Sequence, residues 1–465
     1  MKLGEKSFNV MMRVSILCLL AIGVPKLFFV MQSQARQDSS VGERECSAQC
    51  NRSSLVINLA DCTNKNLGGR GTYSKNVSNA VGSGKYEVPG SQTNTGRGHK
   101  TVALVTNQMH IWGTSSSMLE RLIAQGLTVH TILVPFAYQA DLVRKQAAKV
   151  SFLAHSVSII TGETESLFSA HNLAGCDALC LDLQDTGVRT DGYVAVVYAA
   201  LRAAREHDKE LIIIDHPNPL GGSMEGLCSR STEIHNEALF LARIPLRHGM
   251  TLGELALYMN RSLLSSPAQV LVIPLATYNR FTPVDARTLS ASFSRNIRSL
   301  DACRCYSFLG TLGEIAPFDV ALGTQYAFQA LLLPEKNTIS RAAWEDYRTV
   351  LKQHAIESRL WRYYSKRKHQ WFSGVRLFIP DGADFSSTRA LMATLTFFKQ
   401  RGVSMVPSAH IDQSVGSPLV RRFVAGELTW AAGLDDVHKA KKLFFKEAFS
   451  SCLYKPLPRE VQLVV

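Results

Sequence analysis

The stretch LCLDLQDTGVRTDGYVAVVYAALRAA, from Leu179 to Ala204, places Asp182, Gln184, Asp185 and Arg189 between an apolar run and a helix-like one. Two acids this close can act as general acid and general base on one reacting group. The same two acids can instead cap the following helix, accept Arg189 and fix a turn at Gly187. Tyr193, on the first turn of that helix, reads as packing before it reads as a nucleophile. Similar polar groups follow other apolar runs: Asn107 and Gln108 after TVALVT, and Asp215, His216 and Asn218 after ELIIID. Arg247 and His248 precede T-x-x-E at Thr251 and Glu254, a capping box that predicts a helix start where an anion is stabilised. Glu225, and Glu163 in TGETESLF, are further carboxylates that could take an acid's role.

These residues need elements to hold them. Short apolar, β-branched runs recur at 101–106, 129–134, 157–161, 178–183 and 210–215, with helical periodicity between them. Strands alternating with helices predict parallel βα units with both sheet faces covered. The fold expected is α/β: a Rossmann-like, doubly wound parallel sheet with a second, smaller α/β domain. In such sheets ligands bind beyond the carboxyl ends of the strands, where the polar residues above fall. No G-x-G-x-x-G turn follows any strand, so no dinucleotide or other cofactor is expected.

A chain of 465 residues predicts more than one folded unit. Residues 1–35 read as a signal peptide or N-terminal anchor: Lys2, Lys6 and Arg13 precede VSILCLLAIGV, and the segment ends in small residues. Export is expected, to the periplasm or a membrane-anchored place in the envelope, with membrane association through the N-terminus if that segment is retained. Residues 36–98 form a low-complexity arm, 99–273 the Rossmann-like domain and 274–465 the C-terminal α/β domain. The net charge of +13 favours polyanionic partners. Its cations are spread along the chain without a groove-reading motif, so nucleic acid is not expected. The densest basic run, RLWRYYSKRKHQW from Arg359 to Trp371, reads as a solvated helix or loop face. Ten scattered cysteines show no zinc-ligand spacing, no metal is expected, and Cys176, Cys180 and Cys228 read as buried thiols.

Three long motifs, DLQDTGVRTDGY, DHPNPLGG with Met224-Glu225-Gly226, and PLRHGMTLGELA, resemble those of the NamZ-type exo-β-N-acetylmuramidase family, formerly a domain of unknown function. LVTNQ at 104–108, SRNIRSLDA at 294–302 with Asn296, and SVGSPLVRRFVAGE continue the likeness from about Lys100 to Tyr454. The resemblance implies removal of terminal N-acetylmuramic acid from peptidoglycan fragments, hence a peptidoglycan-derived amino sugar as partner. It makes Arg189, Arg247 and the helix start at Thr251 recognition groups for that sugar's lactyl carboxylate. It also shows departures. Val134-Pro135-Phe136-Ala137-Tyr138 stands where the family carries S-P-E-H-G, so Phe136 replaces the glutamate proposed as catalytic acid. His216 replaces the arginine of D-R-P-N-P, and Arg295 and Arg298 replace two prolines.

The sequence therefore supports three readings. One is a glycosidase whose acid has moved, with Asp182, Asp185 and Glu225 as candidates. Another is a non-catalytic member binding such sugars or a partner protein through Asn107, Gln108, Gln184, Arg189, Asn218, Arg247, His248 and Asn296. The third is an envelope structural protein that uses its basic surface.

Overall fold

The computed structural model describes residues 100–460, apart from 108–121, 125, 148–156, 163, 229–240, 242, 276–277, 285–292, 295 and 338. Gln108, Glu163, Arg295 and the N-terminal segments lie outside the described residues.

The strands predicted from apolar runs form β1 (Lys100–Thr106), β2 (Leu127–Val134), β3 (Ser158–Thr161), β4 (Ala178–Asp182) and β5 (Glu210–Ile214). A two-residue strand, β6 (Ser223–Met224), precedes β7 (Val270–Ile273). The sheet order is β3-β2-β1-β4-β5-β7, and every neighbouring pair is parallel. Alternation explains why these strands are apolar throughout. Ala103, Val105, Leu179, Leu181, Leu211 and Ile213 enter one core. Val102, Leu104, Ala178, Cys180, Ile212 and Ile214 enter the core on the opposite face. Each Val, Leu or Ile among them contributes about 1.5–3 kcal/mol by leaving water. On the first of these faces lie the helices Tyr193–Glu206, through Val194, Val197 and Leu201, and Leu252–Ser262, through Leu255 and Met259. The chain reverses direction across the sheet between β1 and β4, so the ends of those two strands open the crevice typical of doubly wound folds.

The second unit contains β8 (Ile315–Ala316), β9 (Ala330–Pro334), β10 (Glu357–Ser365), β11 (Gln370–Phe378) and β12 (Val406–Pro407). β10, β11 and β9 form an antiparallel sheet in that order. Helices Leu300–Leu312, Arg341–Gln353 and Ser387–Gln400 contribute with it to one core, in which Trp344 and Tyr347 meet the Phe398 ring at 5.6 and 5.0 Å. The Arg359–Trp371 run is not a solvated helix or loop. Its Trp and Tyr residues favour a pleated surface, and Arg359 pairs with Arg376 and Tyr364 with Trp371 across a β-hairpin.

The helix Trp430–Ala448 spans both units. Leu434 and Val437 enter the second core, while Phe444 and Ala448 enter the first. Beyond it the chain returns to the first unit, where β13 (Arg459–Glu460) pairs with β6.

Candidate functional site

Asn107 and Gln184 close the switch point between β1 and β4. The Asn107 amide donates to the Gln184 carbonyl at 2.6 Å and its Oδ1 accepts the Gln184 N–H at 3.3 Å. Gln184 Nε2 donates in turn to the carbonyls of Asp185 and Pro217, at 2.9 and 3.0 Å. Both side chains are almost fully buried, so they lace three strand ends together.

The two acids of the opening motif each take a histidine. Asp182 Oδ1 lies 2.6 Å from His216 Nε2, and Asp185 Oδ2 lies 3.1 Å from His248 Nε2. His248 Nδ1 accepts the Met250 N–H at 3.3 Å, so in the neutral ring Nε2 carries the proton and donates to Asp185. That tautomer leaves His248 no free lone pair with which to act as a base. The expected brace from these acids to Arg189 does not form: Arg189 is buried, and its Nε and Nη2 have no hydrogen-bond partner. Burial, and only weak compensation from Cys228 and Tyr306, lower its pKa to about 10. Nor do Asp182 and Asp185 cap the following helix. Asp191 does so, accepting the Tyr193 N–H at 2.9 Å and the Thr186 N–H at 2.8 Å. Burial and the negative Asp185 push the Asp191 carboxyl up to about 7.

Gly187 shows why this loop has one shape. Its φ is +77°, and a Cβ there would lie 2.3 Å from Asn218 Oδ1. Asn218 itself is fully buried, donating to the Met250 carbonyl at 2.8 Å and accepting the Leu220 N–H at 2.8 Å. It packs behind the loop instead of facing the crevice.

The helix start at Thr251 carries both bonds of the capping box, but its anion site is already filled. Asp215 accepts from Thr251 Oγ1 at 2.7 Å, Gly253 N at 2.9 Å and the Tyr454 hydroxyl at 2.6 Å. A substrate carboxylate would therefore compete with Asp215 for the donors at that helix start. Glu225, similarly, is not placed to donate a proton. It is fully buried, paired with Arg247 at 2.7 Å, and accepts Ser386 Oγ and the Ser387 N–H at the start of helix Ser387–Gln400. Arg247 is thereby committed to Glu225 and the Leu220 carbonyl, with only its Nε left unpaired. Asn296 is half-buried in a turn closed by Ile297 and Ser294.

Phe136 follows β2 as a buried ring, 5.8 Å from a parallel Tyr138 and 5.3 Å edge-on to Tyr193. Tyr193 donates to the Phe293 carbonyl at 2.7 Å and accepts Gln139 Nε2 at 2.8 Å, so it packs and braces, as its helix position suggested.

His216 gives the site a pH signature. Burial alone lowers its pKa, but the hydrogen bond and charge of Asp182, with Asp215 and Asp185 behind it, raise the pKa above 6.5. A raised folded-state pKa adds stability that is complete below the unfolded value and lost as pH rises through the folded one. The urea midpoint is thus expected to fall as pH climbs above 6.5, and His216→Gln to remove that share of the fall. Asp191 and Asp215, raised to about 7 and about 6, remain in both proteins, so the difference between the two profiles isolates the histidine. Superimposable profiles would refute the coupling.

Sequence reasoning missed Asp191, although an acid just before a helix start is a readable cap signal. It also missed Arg280 and Tyr454, which reach the site region from distant segments and leave no local pattern.

Fold and site together define a doubly wound α/β protein with two carboxylate–histidine pairs beyond its strand ends and, on the following turn, a buried arginine with two unpartnered nitrogens. Residues 102–301 match the family described as exo-beta-N-acetylmuramidase NamZ, N-terminal, so this part of the chain is similar to NamZ-type proteins. A relative, the peptidoglycan beta-N-acetylmuramidase NamZ of Bacillus subtilis (strain 168), is 26% identical over 257 residues, 54% of this chain. The match spans only 60% of that relative's length. Two crystal structures of DUF1343 family proteins from Bacteroides fragilis share the fold. One has a TM-score of 0.62 at 24% identity, covering 77% of this chain and 94% of its own. The other has a TM-score of 0.56 at 21% identity, covering 76% and 94%.

Proposed function

We propose that this chain is a peptidoglycan-directed, glycoside-hydrolase-like protein that binds a terminal N-acetylmuramic-acid-type sugar in the switch-point crevice without hydrolysing it at an enzyme's rate. The observation that carries this reading is Phe136. Glycoside hydrolysis needs a positioned proton donor and a second carboxylate or activated water. Just after β2 the chain offers a hydrocarbon ring locked between two tyrosines. Asp182 and Asp185 are held by histidines, and Glu225 by Arg247 and a helix start, so each has a bracing partner. Arg189 supports ligand binding, because a buried guanidinium with two unpaired nitrogens is completed by a carboxylate such as the lactyl group of muramic acid. The relative's name, a peptidoglycan beta-N-acetylmuramidase, supports the same substrate class. The same reading places the protein outside the cytoplasm, with residues 1–35 as its signal or anchor.

Calorimetric titration with N-acetylmuramic acid, beside incubation with a chromogenic β-N-acetylmuramide, tests it. Binding without turnover is expected, and Arg189→Met should weaken that binding at least tenfold, about the worth of one charge-assisted hydrogen bond. Neither binding nor turnover would remove the muramic-acid reading. A second reading, a relocated acid, is favoured by Asp191, whose carboxyl at about 7 stays partly protonated near neutral pH. Turnover by the unaltered chain that Asp191→Asn abolishes would establish that reading in place of the first.

A further inference from the structure

The hairpin of β10 and β11 carries a feature that sugar binding does not use. Between Glu357 and Phe378 it holds Arg359, Arg362, Lys366, Arg367, Lys368 and Arg376, with Glu357 as its sole acid. Lys366, Arg367, Lys368 and His369 are all exposed and make the turn, where His369 adopts a φ of +49°. Directly below, Tyr364 and Trp371 face each other across the strands with ring centroids 5.5 Å apart, and each is over 40% exposed. β9 last pairs with β11 at Phe372, so Trp371, Gln370 and the turn overhang the three-stranded sheet.

Local contacts stiffen this tip. Arg362 lies over the Trp371 ring at 4.1 Å and pairs with Glu335, so the ring is held in place although half-exposed. On the opposite face Trp361, Tyr363 and Phe372 stack in succession, at 5.1 and 5.8 Å. Lys368 and the Tyr363 hydroxyl both bond Asp319, at 2.7 and 2.6 Å. Two exposed aromatics therefore sit on a rigid, projecting base, beneath a turn of cations. Ordering costs for such a tip are already met in the free protein.

We infer that this hairpin tip is a docking element for an anionic lipid surface. The tip projects, which suits a plane, whereas a sugar chain is usually gripped in a cleft. Trp and Tyr partition to the boundary between headgroups and acyl chains, where their rings are buried and their polar edges stay wet. Lys and Arg beside them are drawn to negatively charged headgroups, with the attraction confined to about a Debye length. Charge complementarity selects the occupant: the tip is cationic on a chain of net charge +13.

Co-sedimentation of the chain without residues 1–35, the segment read as signal or anchor, with vesicles of phosphatidylcholine, with and without phosphatidylglycerol, tests the inference. Binding is expected only where phosphatidylglycerol is present, and it should weaken as salt is raised. The Lys366→Gln/Arg367→Gln double substitution should weaken partitioning about 25-fold, fivefold for each cation removed. Trp371→Ala should weaken it several-fold by removing the inserted ring. Both cations are exposed, so the double variant should keep the parent's thermal midpoint and remain informative even if Trp371→Ala unfolds. Equal vesicle binding by parent and double variant would assign membrane affinity to another part of the chain and overturn the inference. So would a parent chain that ignores the vesicles. Loss of binding to insoluble peptidoglycan, with vesicle binding unchanged, would overturn it in favour of a glycan platform.

Discussion

Replacing Glu254 by alanine is expected to lower the unfolding free energy by roughly 3–5 kcal/mol, the usual cost of stranding a buried charge. Glu254 and Arg280 are both fully buried, with Oε1 2.7 Å from Nη2 and Oε2 3.1 Å from Nη1. The carboxylate also accepts the backbone N–H groups of Leu453 and Tyr454, at 2.8 and 3.2 Å, and completes the capping box at Thr251 with a 3.1 Å bond. Arg280 spends its other donors on the carbonyls of Gly249, Tyr454 and Pro456. Burial opposes the charge on Arg280, but the bond and charge of Glu254 outweigh it and raise its pKa. Alanine would leave that guanidinium without its anion and release the tail that returns to the first unit. Guanidinium chloride unfolding measures the loss. If burying an unpaired charge is the cause, Glu254→Ala/Arg280→Met should be less damaging than Glu254→Ala alone. A single-variant loss under 1 kcal/mol would mean that water enters and replaces the pair.

That ion pair marks the boundary of what the sequence made legible. β1, β2, β4 and β5 could be read from the chain because a strand buried on both faces must be apolar along its whole length, and four or five such residues in a row are a local signal. The capping box at Thr251 and Glu254 was equally local, and both of its bonds are present. The gathering of Asn107, Asp182, Gln184 and Asp185 at one edge also followed, since a parallel sheet puts all its carboxyl ends on one side. Which partner each acid takes did not follow. An acid beside an arginine in sequence suggests an ion pair, yet Asp182 and Asp185 chose histidines 34 and 63 residues away. Glu225 is satisfied by a helix start more than 160 residues downstream, and Asp215 by a tyrosine 239 residues away. Such choices are made by packing after the elements meet, and no spacing encodes them. The hairpin from Arg359 failed for another reason. Its charged and aromatic residues lack a clean period of two, because one face of β10 passes from the core at Leu360 to open solvent at Tyr364.

The same separation between inherited scaffold and local chemistry governs Phe136→Glu, which is expected to raise turnover of a chromogenic β-N-acetylmuramide by about two to four orders of magnitude, the span typical of one positioned acid. The surroundings of position 136 set this expectation. The ring is buried between Tyr138 and Tyr193, and burial disfavours an ionised carboxylate, so an acid placed there would hold its proton toward neutral pH. That is the condition a proton donor needs. The acid-limb pKa of the resulting rate profile should accordingly lie above the ordinary glutamate value of about 4.3. The substitution also removes two aromatic contacts and buries a polar group, a cost of about 2–4 kcal/mol that a thermal midpoint will register. A lost second carboxylate elsewhere would cap the gain, and Phe136→Gln isolates the share due to the acid, since the amide copies the shape without it. Turnover restored by glutamate alone would show a crevice disabled at one position. Equal turnover in the parent and both variants would place the acid elsewhere, with Asp191 next to be replaced. A folded Phe136→Glu protein that binds N-acetylmuramic acid but turns nothing over would mean that the chain has lost more of its chemistry than this one carboxyl.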